Sequence, residues 1–257
     1  MTFSFRSTHE FAGIEGSKMH KAKLLFLSGM VLTIFTLQSP AALSANAVAN
    51  LRVDVANGQA IYNEGKGEAM GCGGCHGATA LGMDAMAAPR LANLGQKYIL
   101  KQFEDYSNGK RNDDGMGAAM NDISKALNEQ DRHDLAAYLD SLDYAWESSD
   151  LVALAAAGGK VGDVKKGKVI MTDGIKPLVP ACQACHGLSG RAANIPAIHQ
   201  QKYVYLVNQM NRYRDGNRNN DQKVGKDGIM RGISKNLSRE NIQDIAAYLS
   251  TVSSVKP

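Results

Sequence analysis

Aromatic residues are scarce in this chain of 257 residues, where they make up 6% of the sequence and include a single tryptophan. With so little bulky apolar material, the chain is poorly supplied for building two cores from side chains alone. A large apolar group inside each core would supply part of what is missing. In other respects the composition is ordinary, since 44% hydrophobic and 21% charged residues are typical of a globular protein, neither disordered nor collagen-like.

Apolar runs long enough to span a membrane are also lacking. The longest apolar segment, from Leu24 to Leu37, is shorter than the roughly 18 residues that a membrane helix needs. Three lysines precede it and several small residues follow it, which is the order of an export signal. We therefore expect a cleaved signal over residues 1–45, with Met19 as an alternative start because the residues before it include two glutamates.

After residues 1–45 are set aside, the chain has 25 basic and 23 acidic side chains and so lacks a marked excess of either sign, but its two parts differ. Residues 46–150 hold nine basic and sixteen acidic side chains, whereas residues 151–257 hold sixteen basic and seven acidic ones. Such an asymmetry affects docking and association rates rather than the fold, and solvated surface charge is its simplest interpretation.

The chain contains two copies of one unit, which is the most informative feature of the sequence. The motif Cys72-Gly-Gly-Cys75-His76 recurs 110 residues later as Cys182-Gln-Ala-Cys185-His186. Later segments of the unit recur at displacements of 107 and 110 residues. The repeat predicts an N-terminal domain over residues 46–145, a linker over 146–162 and a C-terminal domain over 163–257.

Helical patterns account for both copies, and no convincing alternating strand is present. The predicted helices cover residues 54–64 and 163–172, then 98–108 and 203–215. A last helix in each copy opens at an N-cap residue, Asn128 in one and Ser238 in the other. The sequence therefore predicts an all-α fold.

All four cysteines lie in the two repeated motifs. Cysteines in an exported protein often form disulfides, and a Cys-x-x-Cys pair can also be a redox dithiol or half of a zinc site. The histidine that follows each pair favours a third chemistry, in which the cysteines form two thioethers to one haem and the histidine coordinates its iron. We expect two covalently bound haem c groups, attached through Cys72, Cys75, Cys182 and Cys185, with His76 and His186 as iron ligands.

Eleven methionines compete for the second axial position on each iron, and the repeat selects among them. Met120 follows His76 by 44 residues, and Met230 follows His186 by the same number. Met116 corresponds to a lysine in the second copy, and the others near the first motif have no matching methionine or lie too close to the cysteines. We expect Met120 and Met230 to be the sixth ligands.

Two other histidines compete poorly for the iron. His133 lies on a charged helix and His199 has no partner in the first copy, so both are predicted to be solvated or hydrogen-bonded surface residues. Histidine and methionine together fill both axial positions and leave no site for a substrate. This ligation favours electron transfer over catalysis, and no nucleophile with an adjacent base or phosphate-binding loop is present.

These motifs resemble those of the cytochrome c4 family, periplasmic dihaem electron carriers with two class I cytochrome c domains. The resemblance spans about residues 50–255 and also includes Pro89-Arg-Leu, Gly95-Gln96, Gly109-Lys-Arg111-Asn, Asp134-Leu-Ala-Ala-Tyr138, Gly216-Asn-Arg218-Asn and Asp227-Gly-Ile-Met230-Arg-Gly. One departure is Gln200-Gln201, where the family usually has Gly-Gln.

The resemblance implies two tandem domains, each wrapped around one covalent haem. It further implies that the backbone carbonyls of Pro89 and Pro196 accept hydrogen bonds from the iron-ligating histidines. Gly58 and Tyr62 of the first helix are expected to meet Tyr138 of the last helix.

The expected function is a soluble periplasmic carrier of single electrons, not an enzyme, that acts as a donor to a terminal oxidase. The alternatives are a haem subunit of a periplasmic dehydrogenase and a dihaem enzyme of the peroxidase type. The expected partners are redox proteins such as a terminal oxidase or a quinol-oxidising complex, with no nucleic acid; peripheral membrane association stays open. The charge asymmetry predicts a lower reduction potential for the N-terminal haem, because negative surroundings favour the oxidised iron.

Overall fold

The structure is a computed structural model that describes residues 51–143, 147–187, 195–221, 223–224 and 226–252. The predicted export signal and the alternative start at Met19 lie outside these described residues. Within the described ranges, every helix is too short or too polar to cross a bilayer.

The first half is built mainly from helices that follow one another through short loops. Its elements are α1 (Val55–Glu64), β1 (Gly65–Lys66), β2 (Ala69–Met70), α2 (Gly73–His76), a 3-10 turn (Asp84–Met86), α3 (Gln96–Ser107), a second 3-10 turn (Gly115–Ala118), α4 (Ala119–Ala126) and α5 (Glu129–Ser141).

The second half repeats this order with local differences. Its elements are α6 (Leu151–Ala156), α7 (Val164–Asp173), α8 (Gln183–His186), α9 (Tyr203–Asp215), β3 (Lys223–Val224), β4 (Asp227–Gly228), α10 (Ile229–Ser234) and α11 (Arg239–Thr251). Strand β1 pairs antiparallel with β2, with Gly65 opposite Met70, and β3 pairs likewise with β4, with Lys223 opposite Gly228.

Two features differ from the expectations drawn from the sequence. The two-residue strands were not predicted, because an alternating pattern cannot be recognised over two residues. Helix α6 lies inside the stretch predicted to be a linker, and its N-cap Asp150 accepts a hydrogen bond from the backbone N–H of Ala153 at 2.9 Å.

The two last helices begin where the sequence predicted. The Asn128 side chain accepts from the backbone N–H of Asp131, whose own side chain accepts from the Asn128 backbone, and this reciprocal pair opens α5. Ser238 and Asn241 form the same capping box at the start of α11. Both predicted N-caps are therefore confirmed.

The first and last helices of each half cross at a glycine. A Cβ atom on Gly58 of α1 would lie 2.2 Å from the backbone oxygen of Asp134, and one on Gly167 of α7 would lie 1.9 Å from that of Asp244. Beside the first crossing, the rings of Tyr62 and Tyr138 stand 5.7 Å apart. The contact expected from the family resemblance is confirmed.

Each half has its own apolar core around these crossed helices. The first core includes Ile61, Phe103, Leu135 and Leu139, and the second includes Ile170, Met171, Leu206, Ile245 and Leu249. In both cores, side chains from the first, middle and last helices surround the Cys-x-x-Cys-His motif.

The helix crossing yields a stability prediction. We expect Gly167→Ala to lower the free energy of unfolding by about 1–3 kcal/mol, because the new methyl group meets backbone rather than a movable side chain. Thermal unfolding of the haem-loaded protein measures this as a fall of several degrees in Tm. Gly232→Ala is the control, since a Cβ there meets no atom of the described residues within 4 Å; equal stability of the two variants would contradict the prediction.

Candidate haem sites

Each half contains a cavity into which its Cys-x-x-Cys-His motif faces. The first cavity, of about 410 Å³, is lined by Cys72, Cys75, His76 and Met120 among mainly apolar side chains. The second, of about 470 Å³, is lined by Cys182, Cys185, His186 and Met230. The structure thus brings together, in each half, all four side chains that the sequence predicted for one site.

The histidine of each motif is buried and oriented by a hydrogen bond. His76 Nδ1 lies 2.9 Å from the carbonyl oxygen of Pro89, and His186 Nδ1 lies 3.1 Å from that of Pro196. Because a carbonyl can only accept, each Nδ1 carries the hydrogen and leaves Nε2 with a free lone pair. Burial lowers the pKa of both histidines, against the opposing effect of the carbonyls, so both rings are neutral and suited to bind a metal.

The cysteines stand on a single turn of helix. Cys72 and Cys182 precede α2 and α8, and the N–H of each histidine donates to the carbonyl of its first cysteine, at 3.0 Å in the first half and 2.9 Å in the second. None of the four forms a disulfide. Burial raises the pKa of the Cys72 thiol to about 11 and also raises that of Cys182.

The predicted methionine ligands lie in the first turns of two helices. Met120 is the second residue of α4 and packs partly buried against the first core, and Met230 is the second residue of α10 and is also partly buried. Met70, Met86 and Met116 line the first cavity as well; Met70 and Met116 are 60% and 55% exposed, whereas Met86 is partly buried. The second cavity is also lined by Met210, which was not predicted as a site residue; it occupies the position of Phe103 in the repeat and packs against the second core.

The two cavities share a wall, which was not predicted from the sequence. Leu94, Tyr98, Gln102, Tyr205 and Gln209 line both of them. The repeat already relates these residues, because Tyr98 matches Tyr205 and Gln102 matches Gln209 at a displacement of 107. This correspondence was the available signal, but the sequence does not indicate that the two segments face each other.

Two buried arginines hold this shared wall together. Arg111 donates to the side-chain oxygens of Gln102 at 2.7 Å and Gln209 at 3.0 Å, and Arg218 donates to the same two oxygens at 3.2 and 2.7 Å. Each guanidinium also lies over a tyrosine ring, at 4.5 Å and 4.6 Å from the ring centroid. Buried guanidinium groups beside an apolar cavity fit a ligand such as haem, whose edge carries carboxylates.

A buried acid beside the shared wall has a neutral counterpart in the other half. Asp113 accepts hydrogen bonds from Tyr106 at 2.5 Å and from Arg111 at 2.8 Å, while the matching residue of the second half is the neutral Asn220. Burial alone would raise the pKa of Asp113, but Arg111 and the Tyr106 hydroxyl outweigh it and lower the pKa below its usual value. An ionised carboxylate therefore lies in the wall of the first cavity.

One histidine assignment from the sequence is wrong. His199 was predicted to be a surface residue, but only 5% of it is exposed and its Nδ1 has no hydrogen-bond partner among the described residues. The segment after Pro196 is covered by the first half, a long-range contact that the local sequence does not indicate. His133 is partly exposed on α5, as expected for a surface residue.

Comparison with known proteins identifies the family. The family model described as cytochrome c matches residues 55–143 and again 164–253. The chain is 33% identical to cytochrome c4 of Pseudomonas aeruginosa over 72% of its length and 85% of that protein. It is 30% identical to the thiosulfate dehydrogenase electron acceptor of Stutzerimonas stutzeri over 83% of its length and 94% of that protein.

A solved structure agrees with these sequence relationships. The reduced cytochrome c4 from Pseudomonas stutzeri superposes with a TM-score of 0.60, at 28% identity, over 79% of this chain and all of that one. The fold and its two sites define a dihaem c-type cytochrome with two covalent haem c groups. The chain belongs to the cytochrome c family, in its cytochrome c4 group.

The buried carboxylate yields a prediction about the two reduction potentials. We expect Asp113→Asn to raise the potential of the first haem by on the order of tens of millivolts, because a negative charge near the iron favours its oxidised form. Potentials assigned to each haem by redox titration measure this. Asp114→Asn is the control, since Asp114 lines the same cavity but its side chain is 87% exposed; equal shifts in the two variants would refute a special role for Asp113.

Proposed function

We propose that this protein is a periplasmic carrier of single electrons whose irons are held by His76 with Met120 and by His186 with Met230. The observation that carries the proposal is the pair of adjoining cavities, each lined by two cysteines, a buried histidine and a partly buried methionine. Haem iron with both axial positions filled gains and loses one electron without binding a substrate.

The residues around each cavity support such a role. The proline carbonyls fix the two histidine rings in the tautomer that leaves Nε2 available. The cavities are lined mainly by apolar side chains, which change orientation little when the charge of a bound group changes. The shared wall brings the two sites side by side, and this favours movement of an electron within one molecule.

We further propose the domain limits that the repeat indicates, with residues 46–145 and 163–257 forming the two domains after removal of an export signal over 1–45. The family-model matches at 55–143 and 164–253 fall inside these limits. Residues 146–162 then form a linker that contains α6.

A redox titration of the two-haem protein, with and without carbon monoxide, tests the ligation. We expect two reversible one-electron steps and no binding of carbon monoxide, because each iron has both axial positions filled. Met120→Ala and Met230→Ala should each keep both haems attached but let carbon monoxide bind one reduced haem. Binding of carbon monoxide by the unaltered protein would favour the peroxidase-type alternative. A variant that still excludes carbon monoxide would disprove the assignment of the substituted methionine as an iron ligand.

For the physiological acceptor we propose a terminal oxidase, supplied through a quinol-oxidising complex. A second candidate is the role of electron acceptor for a periplasmic dehydrogenase, and the similarity to the Stutzerimonas stutzeri thiosulfate dehydrogenase electron acceptor favours it. In both roles the opposite net charges of the two halves would guide docking of oppositely charged redox partners.

Stopped-flow mixing separates these two roles. The reduced protein is mixed with a purified terminal oxidase, and the oxidised protein with a thiosulfate dehydrogenase and thiosulfate. We expect rapid oxidation in the first experiment, with a rate that falls as salt rises because the contact is electrostatic. Fast reduction in the second experiment, with slow oxidation in the first, would instead assign the dehydrogenase role.

A further inference from the structure

The two segments that carry the proline carbonyls meet between the halves of the molecule. Arg90 directly follows Pro89 and is 1% exposed, and Gln201 lies five residues after Pro196 and is 3% exposed. Each of these two side chains reaches into the other half. Gln201 also lines the second cavity, and neither residue was predicted as a site residue from the sequence.

Gln201, from the second half, binds the backbone of the first. Its Oε1 accepts from the backbone N–H of Arg90 at 2.6 Å, and its Nε2 donates to the backbone oxygen of Arg90 at 3.0 Å. The Arg90 N–H and the Pro89 carbonyl belong to one peptide group. Because linked hydrogen bonds polarise one another, a bond at the N–H strengthens the carbonyl as the acceptor for His76.

Arg90, from the first half, binds the backbone of the second in return. Its Nη2 donates to the carbonyl oxygen of Ala197 at 2.8 Å and to that of His199 at 3.1 Å. These carbonyls belong to the segment that begins at Pro196, the acceptor for His186. The counterpart of Arg90 in the repeat is an alanine, Ala197. The contact made by Arg90 is therefore present in one direction only and is not repeated by the second half.

We propose that Gln201 and Arg90 are positioning residues that act across the domain boundary, each setting the histidine hydrogen bond of the opposite half. The proposal rests on the assignment of His76 and His186 as iron ligands. Its consequence is crossed: a residue of the second half tunes the first haem, and a residue of the first half tunes the second.

The sign of one effect follows from the hydrogen-bond chain. A stronger carbonyl acceptor makes the histidine a more basic ligand, and more basic ligands stabilise the oxidised iron. Removing the Gln201 amide weakens the Pro89 carbonyl as an acceptor. The reduction potential of the first haem should then rise.

The test uses the two-haem protein with Gln201→Met, a substitution of similar size without the amide. We expect the reduction equilibrium of the first haem to change at least threefold in favour of reduction. At 59 mV per tenfold change, this is a rise of about 28 mV in its reduction potential. The second haem should change less. In proton NMR spectra of the oxidised protein, the substitution should also shift the ring signals of His76, which a merely structural role of Gln201 would leave in place.

Gln200→Asn is the matched control. Gln200 adjoins Gln201 and is similarly buried, and its Oε1 has no hydrogen-bond partner among the residues that the structure describes. Asparagine tolerates its backbone angle φ of 53°. A shift confined to the second haem, or a first-haem shift no larger than in the control, would overturn the proposal. Such a failure is distinct from a failure of the ligation, because carbon monoxide would still be excluded from the unaltered protein.

Arg90→Lys tests the effect of the first half on the second haem. This test remains valid even if the Gln201→Met variant does not retain both haems. Lysine keeps the charge and the backbone bonds to Gln201. Its single ammonium replaces a guanidinium whose Nη1 binds the Ala92 carbonyl while its Nη2 binds those of Ala197 and His199, so it cannot reproduce this set of bonds. We expect at least a threefold change in the reduction equilibrium of the second haem and a movement of the His186 ring signals. A change confined to the first haem would overturn the proposal.

Discussion

The hydrogen bond from a buried histidine to a proline carbonyl is the interaction on which both sites depend. It fixes the position of His76 and His186, determines which ring nitrogen is free, and joins the Cys-x-x-Cys-His motif to a distant loop. Around that bond, the glycine crossing of the first and last helices brings the apolar wall of each cavity into place. The helix crossings and the histidine hydrogen bonds therefore both determine the geometry of each site.

Much of this arrangement could be predicted from the sequence because its determinants are local or repeated. The capping boxes at Asn128 and Ser238 involve residues three positions apart, and the two motifs with their methionines recur at matched spacing. The burial of His199 and the shared wall could not be predicted, since both depend on which surfaces of the two halves meet. Helix α6 was missed because its six residues are too few to show a helical period.

The two halves have kept one architecture while diverging at single positions that carry charge. Arg111 and Arg218 make matching contacts with Gln102 and Gln209, whereas the counterpart of Asp113 in the second half is the neutral Asn220. The repeat thus supplies two nearly equal sites, and the substitutions within it supply a difference between them. A carrier with two distinguishable sites can accept an electron at one and hold it at the other.

The shared wall also has an evolutionary consequence. After a gene duplication, two copies normally drift apart independently, because each needs to satisfy only its own contacts. Here a substitution at Tyr98, Gln102, Tyr205 or Gln209 alters both cavities together, since these side chains line both. Selection on either site therefore acts on residues of both halves. The middle helices of the two halves should change more slowly than the outward-facing surfaces, and their substitutions should occur in correlated pairs.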